Sequence, residues 1–283
     1  MQTAISIAVD VARDHGLAVA EAIPLRSTNN AVTWLRPADV VAKVSREAHS
    51  RLLTELQVAQ ELVALGAPVV SPASEVPAVV HRCSGFEMTF WRYHAQLGTA
   101  EIPPDRVALA LTGLHASLSR LSPSLKSSLP SYEQELRVVR SLLADRAALS
   151  ALDPVDRDLL MTTFDRLQAR LDELAPADRF VVLHGSPHSY NVLLANNEPA
   201  FIDFETTCLG PLEWDVAHLE SRAPCFAAAI NAELLWLCQS MVSVKTATLC
   251  TSEIERGDMR EHAEYHLAHV RENVAAMLDR DVH

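Results

Sequence analysis

The sequence predicts an α+β fold, in which a small antiparallel sheet near the N-terminus precedes a larger and mainly helical part. In residues 22–93, short apolar runs of strand length are separated by turn-forming residues, which is typical of hairpins. From residue 104 onward, helix-start signals recur instead, such as the N-cap and proline of Asp153-Pro154. We therefore expect the sheet and most of the helices to be segregated along the chain.

Length and charge narrow the class of protein further. The 283 residues can bury a substantial core, and a hydrophobic fraction of 49% is typical of globular proteins. The 24 basic and 36 acidic residues give a formal charge of −12, which argues against a nucleic-acid partner, because phosphate backbones are bound by basic patches. A cationic small molecule is compatible with this charge, although solubility alone is the simpler explanation.

The cysteines and the N-terminus indicate a cytoplasmic protein. Five cysteines occur without a C-x-x-C motif or a paired framework, which is typical of reduced thiols: Cys83, Cys208, Cys225, Cys238 and Cys250. Charged residues at positions 10, 13 and 14 argue against a signal peptide. Because no apolar run approaches the ~18 residues that span a bilayer, we expect no membrane partner.

The first third of the chain is predicted to contain two helices and five strands. We expect helices over residues 3–14 and 50–65, and strands over 22–25, 31–35, 40–44, 78–81 and 86–93. Lys43 interrupts the apolar third strand, and a buried ammonium needs a partner. Glu55 lies on the inward stripe of the second helix and is the candidate partner. The alternative is that Lys43 extends to solvent and Glu55 lies at the edge of its helix.

The remainder is predicted to be mainly helical. Helices are expected over residues 105–122, 132–147, 154–174, 213–221, 226–249 and 252–278. On the last of these, His262, His266 and His269 recur at a helical spacing that could bind Zn²⁺. The acidic residues between them and the lack of a fourth ligand favour a solvated face over a zinc site.

A polar loop and a hairpin follow the helix expected at residues 154–174. An apolar run at residues 180–183 predicts a buried strand, and a polar loop comes after it. The loop holds His184, Ser186, His188 and Asn191. Two further apolar runs, at residues 192–194 and 200–204, flank the turn signal Asn-Asn-Glu-Pro.

The predicted hairpin brings together two oxygen ligands. If Leu194 pairs near Ala200, antiparallel counting places Asn191 opposite Asp203. An amide oxygen and a carboxylate then lie at the open end of the hairpin. Such hard oxygen ligands suit a Mg²⁺ ion that carries phosphates.

Phosphate-binding motifs rich in glycine are missing from the sequence. The eight glycines form neither G-x-G-x-x-G nor G-x-x-x-x-G-K-[ST], which disfavours Rossmann dehydrogenases and P-loop enzymes. The polar stretch at residues 27–30 instead offers hydroxyl and amide groups for phosphate oxygens.

Three motifs together point to one family. His-Gly-x-x-His-x-x-Asn occurs at residues 184–191, Ile-Asp-Phe-Glu at residues 202–205 and Gly-Pro-Leu-Glu-Trp-Asp at residues 210–215. This pattern resembles the catalytic and metal loops of the aminoglycoside phosphotransferase family, which groups antibiotic kinases with choline-kinase-like and homoserine-kinase-like enzymes. The resemblance implies a protein-kinase-like fold. Its N-terminal nucleotide-binding lobe would cover residues 1–93, and its helical C-terminal lobe, with the substrate pocket, residues 94–283.

The resemblance also implies roles for individual residues. Lys43 would hold the α- and β-phosphates of the nucleotide, with Glu55 positioning it, and Asn191 and Asp203 would bind Mg²⁺. Glu205 would add a metal ligand or face the substrate. Further nucleotide contacts are expected from the loop residues Ser27 and Asn29 and from the hinge aromatics Trp91 and Tyr93, which would otherwise be ordinary core aromatics.

The chain departs from the family pattern at one position. The family motif is His-Gly-Asp, and Ser186 stands where the catalytic aspartate is expected. A neutral serine cannot act as a base near neutral pH. His188 could take the proton instead, the loose transition state of phosphoryl transfer could tolerate a weak base, or the protein could be a pseudokinase. An engineered substitution is a further alternative, and for His188 a structural role in the loop is favoured over that of a new base.

These observations predict a Mg²⁺-dependent phosphotransferase that moves the γ-phosphate of ATP or GTP to a hydroxyl of a small polar molecule. The family suggests an antibiotic as the acceptor. The alternative is a catalytically impaired pseudokinase that binds nucleotide or sequesters a small ligand. Lys43, Glu55, Asn191 and Asp203 are all present, which favours the enzyme, because loss of catalysis is expected to erode metal ligands as well.

Overall fold

A five-stranded antiparallel sheet occupies the first third of the chain in the computed structural model, which describes residues 2–27, 30–95, 102–219, 226, 228–254 and 259–280. Its strands are β1 (Val19–Ser27), β2 (Ala31–Pro37), β3 (Val40–Arg46), β4 (His81–Cys83) and β5 (Phe86–Arg92). They lie in the order β1-β2-β3-β5-β4, and every neighbouring pair is antiparallel. The predicted α+β class is confirmed.

Lys43 lies in the middle of this sheet, on the central strand β3. Side chains alternate between the two faces of a strand, so Val40, Ala42 and Val44 share one face. That face packs against helix α1 (Gln2–Asp14) through a stripe of alanines that includes Ala8. Lys43 therefore projects from the opposite face.

Helix α2 (Leu52–Ala64) supplies Glu55, the predicted partner of Lys43. Its buried face includes Leu52, Glu55 and Ala59, whose spacing of three and four residues places them on one side of the helix. The helix packs on β5 and on the 3₁₀ turn Phe204–Thr206. Glu55 is thus directed into the protein, as its position on the apolar stripe predicts.

The chain divides into two compact units. The first contains the described residues up to 129 together with residues 184–207 and Leu219, and the second contains the other described residues. Besides the sheet, α1 and α2, the first unit holds α3 (Pro104–Leu118), α4 (Pro123–Ser128), β7 (Val192–Ala195) and β8 (Glu198–Phe201). The second unit holds α5 (Glu133–Ala144), α6 (Pro154–Leu174), β6 (Val181–Leu183), β9 (Cys208–Gly210), α7 (Leu212–Val216), α8 (Ala232–Ser252) and α9 (Met259–Arg280). The expected division into lobes at residue 93 stays a prediction.

Element boundaries differ from the predicted ones where local capping decides them. The helix expected over residues 105–122 ends at Leu118, and α4, which is not among the predicted helices, begins at Pro123 because Ser122 caps it. The helix expected from residue 226 begins at Ala232, where the Asn231 side chain accepts hydrogen bonds from two backbone N–H groups. Within the described helices, none combines the length and apolar character that crossing a bilayer requires.

Candidate functional site

The hairpin of β7 and β8 pairs in a register one residue away from the expected one. Asn196 and Asn197 form a two-residue turn, both with positive φ, which is the geometry of a tight hairpin turn. Leu194 therefore pairs with Pro199 rather than with Ala200. The prediction that Asn191 lies opposite Asp203 is wrong, because pairing Leu194 with Ala200 leaves three residues, 196–198, in the turn, where two asparagines suffice. Asn191 instead accepts a backbone hydrogen bond from Ile202 N–H at 3.0 Å.

Asp203 leaves the hairpin in an unusual backbone conformation. Its φ of 70° and ψ of 62° lie in the left-handed region, which non-glycine residues seldom adopt, although Asp and Asn tolerate it best. The 3₁₀ turn Phe204–Thr206 follows immediately. A left-handed residue at this point re-aims the chain, so that Asp203 and Glu205 both reach the same ammonium group.

The Lys43 ammonium is the centre of a cluster of carboxylates. Its Nζ lies 2.9 Å from each carboxylate oxygen of Glu55, 2.8 Å from Asp203 Oδ1 and 2.7 Å from Glu205 Oε1. Lys43 is 7% exposed and Glu55 2%. The predicted contact between Lys43 and Glu55 is confirmed, and the alternative of a solvent-directed lysine is excluded.

The same carboxylates form a candidate metal site. One oxygen each from Glu55, Asp203 and Glu205 lies within 4.8 Å of the others. Across the part of the chain that the structure describes, no other group of three or more His, Cys, Asp or Glu ligands converges in this way. His262, His266 and His269 on α9 form no such group, and all three are half-buried rather than fully solvated.

Burial and charge shift the pKa values within the cluster in opposite directions. Burial alone would lower the pKa of Lys43, but the three carboxylates outweigh it, so the pKa is raised above its ordinary value. Burial, together with repulsion from Asp203 and Glu205, raises the pKa of Glu55 to about 8 against the attraction of Lys43. Burial raises the pKa of Asp203 too, yet Lys43, His184 and Arg26 outweigh that effect and lower it. Asp203 is therefore ionised at neutral pH, as a metal ligand must be.

The raised pKa of Glu55 predicts a pH-dependent stability. A carboxyl whose pKa is higher in the folded than in the unfolded state stabilises fully below the unfolded pKa, and this stability is lost as pH rises through the folded pKa. Between about pH 4.5 and about pH 8, the metal-free protein should thus lose stability relative to Glu55→Gln. Urea unfolding in EDTA across this range measures the difference. A constant or growing advantage of the wild type would contradict the assignment.

The Asn191 side chain is held by contacts to Ser186 and to Arg26 of β1. Its side-chain Nδ2 donates to the Ser186 carbonyl at 3.0 Å, which leaves Oδ1 pointing the other way. Arg26 Nη1 donates to that Oδ1 at 3.4 Å. In the neighbouring contact, Asn30 Nδ2 donates to Glu205 Oε1 at 2.6 Å. The sequence predicts neither the Arg26 nor the Asn30 contact, because each joins residues more than 160 positions apart.

Ser186 and His188 lie in a loop that is fixed by backbone contacts. The Ser186 N–H donates to His184 Nδ1 at 3.3 Å, and His184 Nε2 donates to the Ile202 carbonyl at 3.0 Å. His188 Nε2 lies 3.4 Å from Asn191 Nδ2, and its Nδ1 is buried. These contacts favour the structural role for His188, since one ring nitrogen is buried and the other lies against Asn191.

Gly185 is required by the packing of this loop. Its φ is 93°, and a Cβ at this position would lie 2.0 Å from the Thr206 carbonyl oxygen. We expect Gly185→Ala to destabilise the protein by about 2–3 kcal/mol, from backbone strain and the clash. Gly113→Ala is the matched control, because a Cβ there meets no atom within 4 Å and the residue lies in α3. Equal stability of the two variants in thermal unfolding would contradict the close approach of Gly185 to Thr206.

The other predicted nucleotide-binding residues that the structure describes lie on or next to the sheet. Ser27 ends β1 in register with Ala31, and Asn29 lies outside the described residues. Trp91 is on β5, and its Nε1 donates to Thr89 Oγ1 at 2.9 Å. Tyr93 stacks on Trp34 with ring centroids 4.0 Å apart, so one face of its ring is covered. Their roles in nucleotide binding stay predictions.

The sequence matches the model of a phosphotransferase enzyme family over residues 21–233. The chain belongs to this family. The predicted resemblance to aminoglycoside phosphotransferases is thereby confirmed, and the protein is a kinase-type phosphotransferase enzyme. No curated protein matches the phosphotransferase chain at a significant level.

Solved structures establish the kinase-like fold of this phosphotransferase. A thermostable mutant of aminoglycoside phosphotransferase APH(4)-Ia matches with a TM-score of 0.69 at 11% identity, covering 94% of this chain and 98% of that one. The GDP and kanamycin complex of APH(2″)-IIia matches with a TM-score of 0.64 at 17% identity, covering 97% and 98%. Choline kinase LicA from Streptococcus pneumoniae matches with a TM-score of 0.65 at 13% identity, covering 98% and 100%.

Proposed function

We propose that this phosphotransferase moves the γ-phosphate of a nucleoside triphosphate to a hydroxyl of a small polar molecule, with Mg²⁺ as cofactor. The convergence of Glu55 and Asp203 on the Lys43 ammonium carries the proposal. Phosphoryl transfer needs phosphate clamps, metal ligands and a positioned hydroxyl, but little covalent work from the protein. Solved relatives in complex with GDP, ADP or AMP support a nucleotide as the donor.

The oxygen groups of Asp203, Asn191 and Glu205 are the proposed ligands of a magnesium ion. Asp203 provides an ionised carboxylate and Asn191 an amide oxygen, and these hard ligands suit Mg²⁺ better than softer metals. Glu205 is a further candidate ligand because its oxygen lies within 4.8 Å of the Asp203 oxygen. When bound, the ion neutralises charge on the phosphate oxygens.

Lys43 and Glu55 act together on the nucleotide. The Lys43 ammonium is shared among three carboxylates in the structure. A bound nucleotide offers phosphate oxygens to the same ammonium, while Glu55, held on α2, keeps the lysine directed into the site. Positioning of this kind requires no base and does not depend on residue 186.

Ser186 lowers the expected rate without removing the activity. General-base catalysis contributes typically ~10²–10⁴-fold, so an enzyme that lacks it retains metal and positioning effects. The acceptor hydroxyl would lose its proton late, which a loose transition state tolerates. We infer a slow but genuine transferase.

The acceptor is proposed to be a cationic, hydroxyl-bearing antibiotic. Related structures hold kanamycin, spectinomycin and hygromycin B. The formal charge of −12 on this chain is favourable for a cationic ligand.

Transfer assays with a panel of aminoglycosides, spectinomycin and choline test the proposal. Incubation with γ-labelled ATP or GTP and Mg²⁺ should yield a phosphorylated acceptor in stoichiometric excess over the protein. The panel without Mg²⁺ is the control. Failure of every acceptor, together with a lack of nucleotide binding, would overturn the proposed function.

A pseudokinase is the second candidate, and Ser186 is the observation that favours it. In that case the wild type binds nucleotide without transfer, and Ser186→Asp should restore transfer. Measurable turnover by the wild type would exclude the pseudokinase. A further rise in turnover on Ser186→Asp would fit the slow enzyme.

A further inference from the structure

We propose that Arg26 is a positioning residue that holds the Asn191 side-chain oxygen before nucleotide binds and moves onto the phosphates when nucleotide arrives. This inference rests on the proposed function and adds a residue to its machinery. It starts from the contact between Arg26 Nη1, near the end of β1, and Asn191 Oδ1, in the loop of residues 184–191.

The contact places a cation at a predicted metal ligand. Asn191 Nδ2 is engaged by the Ser186 carbonyl, so Oδ1 is the atom available to a metal ion. Arg26 donates to this same atom, and its charge also acts on the Asp203 carboxylate. The guanidinium therefore contacts one proposed Mg²⁺ ligand, Asn191, and its charge acts on the other, Asp203.

The hydrogen bond between Arg26 and Asn191 is weak enough to be released when metal and nucleotide bind. At 3.4 Å the hydrogen bond is long, and the Arg26 side chain is exposed, so its guanidinium remains partly hydrated. A Mg²⁺ ion at Oδ1 would repel the guanidinium and compete for the oxygen. Arg26 would then leave Asn191 without the cost of breaking a buried ion pair.

The arriving nucleotide supplies the next partner. The planar fork of arginine matches phosphate oxygens, and such charge-assisted hydrogen bonds are stronger than the one to a neutral amide. Arg26 also immediately precedes the polar stretch at residues 27–30 that is predicted to meet phosphates. The metal would thus first displace Arg26 from Asn191, and the phosphate would then bind the same side chain.

Arg26→Gln tests the inference through two affinities that should change in opposite directions. Without nucleotide, the Mn²⁺ affinity, measured by electron paramagnetic resonance, should rise by roughly threefold or more, because a competing cation has been removed. With Mg²⁺, ADP binding should weaken by about tenfold, because a charge-assisted contact to phosphate is lost. Arg26→Lys should keep part of the ADP affinity.

Arg82→Gln is the matched control for these titrations. Arg82 lies on β4, at the opposite edge of the sheet from β1, and pairs with Glu87 at 2.8 Å. Its loss makes the same change in charge and should alter neither affinity. If Arg26→Gln leaves both affinities unchanged, or weakens both together, the inference is overturned. If the wild type itself binds no ADP, the proposed function is overturned. The effects of the Arg26 variants relative to the wild type cannot produce that result, so the two failures are distinguishable.

Discussion

Lys43→Met should reduce phosphate transfer by about 10²–10³-fold, the effect typical of removing one preorganised donor from a reacting phosphate or oxyanion. Methionine keeps most of the length of the side chain but removes the ammonium on which three carboxylates converge. ADP affinity should fall as well, because the same ammonium is proposed to hold the phosphates. Radiolabelled transfer and calorimetric ADP titration measure the two effects.

The same substitution should also cost stability. Above about pH 8, where Glu55 is ionised, this 2% exposed carboxylate would be left without its cation, and breaking a buried pair from one side costs typically about 3–5 kcal/mol. The double variant Lys43→Met with Glu55→Gln is the matched control. It should recover much of the stability, measured by urea unfolding, without recovering transfer. If transfer returned together with stability, Lys43 would be a structural residue only.

Asp203→Asn should lower transfer by about 10³-fold or more, because an ionised metal ligand becomes a neutral amide and metal-ion catalysis is worth several kcal/mol. Asparagine tolerates the left-handed backbone at this position as well as aspartate does, so the loop should keep its conformation. The affinity for ADP should become nearly independent of Mg²⁺. Calorimetric titrations with Mg²⁺ and with EDTA measure this loss of dependence.

Glu198→Gln provides the control for Asp203. Glu198 lies on the same hairpin and carries the same charge, but its side chain is 78% exposed and pairs with Arg106 at 3.1 Å. Its substitution should leave transfer and Mg²⁺ dependence unchanged. A comparable loss of transfer in both variants would mean that any change in the hairpin lowers activity, and that removal of the Asp203 carboxylate is not the cause.

The sequence predicts a contact best where a buried charged residue has a single candidate partner. Lys43 occupies an apolar strand and Glu55 an apolar helix stripe, and a buried charge requires a partner, so their pairing follows from patterning. Asp203 joins them through the motif that carries the family resemblance. Patterning and motif together therefore identify these three residues before any distance is known.

Other features of the site depend on details that patterning does not resolve. The predicted hairpin register is off by one residue because Asn196 and Asn197 both adopt positive φ, and residue propensities alone do not separate a two-residue from a three-residue turn. The Arg26 contact to Asn191 joins segments 165 positions apart through an exposed side chain. Exposed polar groups carry no burial signal, so their partners become visible only in three dimensions.

Calorimetric titration of ADP into the wild-type protein, with saturating Mg²⁺ and again with EDTA, tests the central claim most directly. With Lys43 proposed to hold the phosphates and Asp203 and Asn191 proposed to hold the metal, we expect saturable binding that is at least about tenfold tighter with Mg²⁺, since a bound ion would supply charge that attracts phosphate oxygens. No binding, or binding that is equally tight in EDTA, would contradict a magnesium–nucleotide site at these residues.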